Sequence, residues 1–106
     1  MARVAERDRQ RIEAAFTKVR ASAEKVAGGD DSAKDRSYEE IFALNNEVGR
    51  VGRQRPELMP KMKEFQLCVN MITVGIKQSR AGDIREGLSA AGEAIASMKN
   101  EIGSAP

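Results

Sequence analysis

Within GRVGRQR, residues 49–55, three arginines (Arg50, Arg53, Arg55) and two glycines share seven positions. Guanidinium groups on a glycine-loosened backbone can grip phosphate oxygens or the carboxylates of an acidic partner. Other chemistry is sparse. The chain has no histidine, which removes the usual general base and the Glu-x-x-His ligand pairs of helical metal enzymes. Cys68, the single cysteine, has no histidine to activate it and stands between Leu67 and Val69, so it reads as buried and inert. Glu39 and Glu40 are neighbours in sequence and diverge by about 100° around a helix. No catalytic, cofactor or metal site is therefore expected.

Four segments must position these residues. In 4–27, Ile12, Phe16, Val19, Ala23 and Val26 follow at spacings of four and three, which predicts one amphipathic helix. Residues 28–37 combine two glycines with five charges and predict a flexible connection. Ser37 with Glu40 reads as a capping box, so a second helix is expected from Tyr38, carrying Ile41, Leu44, Val48 and Val51 and fraying near Gly52. Pro56 and Pro60 suit the first turn of a third helix, with Met62, Phe65, Val69, Ile72 and Ile76 as its core stripe. Cys68, Met71 and Val74 flank that stripe and make this the most buried helix expected. Asp83 with Glu86 reads as a second cap, placing the fourth helix from Ile84 through Leu88, Ala91, Ile95, Met98 and Ile102. Gly103 is placed as its left-handed end and 103–106 as a tail.

No segment alternates as a strand does. The fold class is all-α: four amphipathic helices forming an antiparallel bundle or paired helical hairpins in one domain, 1–106. With four aromatic residues and no tryptophan, the core has to come from aliphatic side chains. Gly87, Ala90, Ala91, Gly92 and Ala94 make the fourth helix narrow on more than one side, where another helix could approach, and Gly87, Ala90 and Ala94 are taken as the partner-facing ones. Leu58 and Met59, between the two prolines, read as an exposed apolar pair. Those three with this pair are the candidate partner-binding set.

Eighteen basic and sixteen acidic residues leave a net charge of +2, too balanced for wholesale adhesion to nucleic acid or membrane. No run approaches the roughly 18 apolar residues that span a bilayer, the N-terminus lacks a secretory apolar segment, and the lone cysteine suits a reducing compartment. The expected location is the cytoplasm.

Residues 68–98, including MITVGIKQSRAGDIREGLSAAGEAIASM, resemble the helical hairpin of a tetratricopeptide repeat. Gly75 matches its close-packing glycine, AGD its turn and Ala94 a small second-helix position. Met71, Val74 and Gln78 depart from its usual Trp, Leu and Tyr, Gly87 and Ala91 replace its small residue and Phe, and no proline closes the unit. The resemblance implies protein binding. The reading is therefore a small protein-binding adaptor or chaperone-like protein acting through an exposed apolar helix face on another protein, with a homodimer as one form. The alternative is a nucleic-acid accessory protein using the loop Arg50, Arg53 and Arg55 with the basic N-terminal helix. Nucleic acid is disfavoured because stacking aromatics and a broad basic surface are missing.

Overall fold

The computed structural model describes the backbone of residues 2–104 and the side chains of residues 6–98. Four α-helices follow one another: α1 (Ala2–Ala27), α2 (Lys34–Gln54), α3 (Met59–Lys77) and α4 (Ala81–Ser104). Single 3-10 turns at Asp31–Ala33 and Pro56–Leu58 lead directly into α2 and α3. Among the described residues there is no strand. The predicted stripes are the core: Ile12, Phe16 and Val19 of α1, Leu44 and Val48 of α2, Phe65 and Ile72 of α3, and Ile84 and Ile95 of α4 are all buried. The helices pair as hairpins, α1 against α2 and α3 against α4. The hairpins join mainly through α1 against α4, while α2 meets α3 more briefly. The molecule is elongated, 45 × 21 × 17 Å.

Helix starts differ from expectation. α2 begins at Lys34 and not at Tyr38, so the expected connection 28–37 contracts to 28–30 between helical elements. The capping side chain is Asp30, which accepts from the Ser32 amide at 3.1 Å. Ser37 lies inside α2 with no solvent exposure, and its hydroxyl has no hydrogen-bond partner. Glu40 is not its capping partner; it accepts from the Ser22 hydroxyl of α1 at 2.8 Å. α4 likewise starts at Ala81 and not Ile84, because the Ile84 amide already donates to the Arg80 carbonyl at 3.0 Å. Asp83 sits in the first turn, 3.8 Å from the Arg80 guanidinium, where a carboxylate faces the positive end of the helix. α4 continues through Gly103 to Ser104, so the cap and tail expected from 103 do not begin there; 105–106 lie outside the described residues. The Ile102 side chain lies outside them too.

α1 and α3 end in the same way. The Asp30 amide donates to the Lys25 carbonyl at 2.9 Å and the Gly29 amide to Val26 at 3.0 Å, with Gly29 at φ 102°. Arg80 donates to Gly75 at 2.8 Å and Ser79 to Ile76 at 3.2 Å, with Ser79 at φ 55°. Both are Schellman ends, and the second places a side chain in the left-handed region where glycine is at ease. Ser79→Gly is expected to raise stability by about 0.5–1 kcal/mol. The gain is offset in part by loss of the exposed 2.8 Å bond from Lys34 to the serine hydroxyl. Chemical denaturation checks this; a lower midpoint would contradict the strain.

Candidate functional site

The arginines of 49–55 do not form a loop. α2 runs helically past Gly49 and Gly52, so Arg50 and Arg53 are helix residues and only Arg55 lies in the joint. Arg50 is committed inside the chain: its Nη2 donates to Asp8 Oδ1 at 2.9 Å and to Glu47 Oε2 at 3.1 Å. Hydrogen bonding to Asp8, then to Glu47, raises the guanidinium further above its already high value. Arg55 stands 4.0 Å from Glu57, and Arg53 is exposed. The expected phosphate-gripping loop is thus replaced by one structural ion pair, one exposed arginine and one arginine beside a carboxylate. Of the N-terminal arginines, Arg7 and Arg11 are exposed and Arg9 is half-buried, while the Arg3 side chain lies outside the described residues.

Asp8 is the buried end of this pairing, only 3% exposed. Its position carried a signal: it stands four residues before Ile12, on the extended apolar stripe of α1, where a carboxylate must find a cation. Nothing local to the sequence identifies Arg50, 42 residues away, as that cation.

The expected partner-binding residues are mostly used within the molecule. Leu58 is 1% exposed and belongs to the core, so the exposed pair reduces to Met59. Gly87 and Ala94 are buried in the contact of α4 with α3, and a Cβ on Gly87 would fall 2.7 Å from Ile72 Cγ1. Ala90 is half-buried in a shallow groove of about 190 Å³ with Glu64, Cys68 and Glu93. The narrow second side of α4 receives α3 of the same chain. Its other side packs on α1, where Gly92 lies beside Phe16.

The free apolar surface is instead the outer face of α3. Leu67 is 69% exposed, Met71 41% and Val74 48%. Spacings of four and three put them in one row, opposite the buried row Phe65, Val69, Ile72 and Ile76. α3 is therefore apolar on two sides and is not the most buried helix. By helical register Lys63 and Lys77 border the outer row on the side away from α4. Glu64 borders it on the side of the Cys68 groove, beyond which lie Glu86 and Glu93 of α4. Phe42, 68% exposed, stands apart on the outer side of α2. Cys68 is half-buried where it was expected to be buried. Burial, with Glu64 and Glu93 nearby, pushes its thiol above the ordinary value.

Among the described residues no group of three or more acidic or thiol side chains is disposed to hold a metal ion, and no helix is long and apolar enough to cross a membrane. Comparison with known proteins finds no match to this chain among family models, curated proteins or solved structures.

Two predictions follow from these side chains. Arg50→Ala leaves a buried carboxylate without its cation and is expected to cost about 2–4 kcal/mol. Asp8→Ala with Arg50→Ala should cost less than the two single losses added, in a double-mutant cycle by denaturation; strict additivity would show that the pair is not coupled. For Cys68, a raised thiol pKa means less thiolate at any pH below it. Alkylation by iodoacetamide should be slower in the folded than in the urea-unfolded chain at pH 8, with its pH midpoint displaced upward. Glu64→Gln should move that midpoint down; an unmoved midpoint would remove the carboxylate from the account.

Proposed function

We propose that this protein is a small helical adaptor, chaperone-like in action, that binds another polypeptide through the outer face of α3. One observation carries the reading: Leu67, Met71 and Val74 form an exposed row on a helix whose opposite side is already satisfied by the core. Anchors at i, i+4 and i+7 are how a helix seats in a partner's apolar groove. Met71 adds a pliable side chain that can fit more than one surface. Large exposed apolar side chains set in one row are uncommon on a chain that works alone. The likeness of residues 68–98 to a tetratricopeptide hairpin is in keeping with binding rather than catalysis, and the single unpaired cysteine with a cytoplasmic setting.

The test is site-specific photo-crosslinking in native extract, with the probe at position 67 or 74 and a control probe at Arg36 on the exposed side of α2. A defined adduct with a polypeptide other than this chain, from the α3 positions only and abolished by Met71→Glu at unchanged thermal stability, is expected. Equal adducts from all positions, or none, would sink the reading.

A further inference from the structure

The α3 face has a charge pattern that selects an occupant. Its basic border is Lys63 and Lys77; its other border carries Glu64, continued by Glu93 and Glu86 on α4, with Lys61 bonded to the Ser97 hydroxyl of the same groove, so that border is acidic on balance. Lys63, Lys77, Glu64, Glu86 and Glu93 are all exposed, and none has an ion-pair partner among the described residues. The heights match as well. Gly75 meets Ile84 and Gly87 meets Ile72, so α4 runs antiparallel to α3 in a register that sets Glu93 near the level of Lys63 and Glu86 nearer that of Lys77.

We infer that this face pairs with a second copy of itself, the two α3 helices parallel about a two-fold axis that runs along them. A two-fold along the helix direction turns the basic border of one copy to the acidic border of the other, twice over. Leu67, Met71 and Val74 then meet their own counterparts. An antiparallel pairing would set basic border against basic border and acidic against acidic, at a cost. Area favours a reversible pair: 19 residues of helix, about 28 Å long, and a contact two helices wide bury about 1,000 Å² in total, the lower limit for a specific interface. The inference rests on the proposed binding role of this same face, and implies that self-pairing and client binding exclude one another.

Analytical ultracentrifugation of the full chain is expected to show a monomer–dimer equilibrium with a dissociation constant of about 10–100 μM, weakened by salt. Met71→Glu, which brings two carboxylates together at the axis, should weaken it roughly tenfold or more. Lys63→Glu with Lys77→Glu, and separately Glu64→Lys with Glu86→Lys and Glu93→Lys, should each lose self-association and regain it on mixing. In a Cys68→Ser background, Leu67→Cys and Val74→Cys should each form disulfide dimers alone. Crosslinking only when the two are mixed would mean antiparallel pairing and overturn the proposal, as would a monomer up to about 1 mM or no recovery on mixing the charge variants. A monomer that still gives a specific photo-adduct with another polypeptide would leave the adaptor reading standing and remove only the self-pairing; a dimer whose only photo-adduct is with its own copy would do the reverse.

Discussion

The closeness of α3 to α4 is the constraint on which the arrangement rests. With few aromatic residues to fill space, the helices have to approach nearly backbone to backbone, and two glycines allow it. A Cβ on Gly87 would come within 3.2 Å of the Ile72 amide nitrogen, and one on Gly75 within 3.1 Å of that of Ile84. Neither neighbour is the end of a flexible side chain that could swing aside. Gly52 differs, since the atom in its way is the sulfur of Met62, which can move. Because α4 claims this flank of α3, and the core claims the side of Phe65 and Ile76, the row through Leu67 is the side left exposed among the described residues.

The two hairpins are held by different means. α3 and α4 meet chiefly through small and aliphatic residues, a contact that gains from burial but has little directional preference, with one cross-helix bond from Lys61 to the Ser97 hydroxyl at 2.6 Å. α1 and α2 are tied by directional bonds, Asp8 to Arg50 at 2.9 Å and Ser22 to Glu40 at 2.8 Å. A slip of either helix would leave a buried carboxylate unpaired, which costs more than any single apolar contact there. The Ser37 hydroxyl, fully enclosed and without a partner, works against this hairpin by about 1–3 kcal/mol. The core stripes beside it, Ile41 and Leu44, offset that cost.

The apolar stripes, and with them the helical fold, were legible because a spacing of three and four has one structural meaning. Capping residues were less so. Ser37 and Asp83 have the composition of N-caps, yet the chain enters α2 through a 3-10 turn capped by Asp30 and starts α4 at Ala81, with Arg80 between it and the left-handed Ser79. Local composition permits several starts within a turn, and tertiary packing selects among them. The arginines misled for a related reason: Arg50 and Arg53 lie three apart on one face of α2, yet Asp8 and Glu47 take Arg50, so a cluster in sequence is not a set of free cations. For the candidate site, the sequence set Met71 and Val74 with Cys68 beside the stripe 65-69-72-76 as one wide buried face, and did not single out 67-71-74 as a separate row that stays uncovered. Only the position of α4, set by Gly75 and Gly87, decides that. The same contact consumes Gly87 and Ala94, the small residues that had suggested a partner.

An exposed apolar row is a hazard unless something limits what it meets. On α3 the limit is electrostatic: a partner must carry acid against Lys63 and Lys77 and base against Glu64, or be repelled on one border or both. Such borders contribute more to the rate and choice of encounter than to its strength, which the apolar row supplies. A surface whose two borders are opposite in sign is complementary to itself under only one kind of two-fold. Self-pairing as proposed would shield the row when the protein is concentrated and free it on dilution, and a client with a deeper groove would compete by burying more of Leu67 and Val74 than a flat, symmetric contact can.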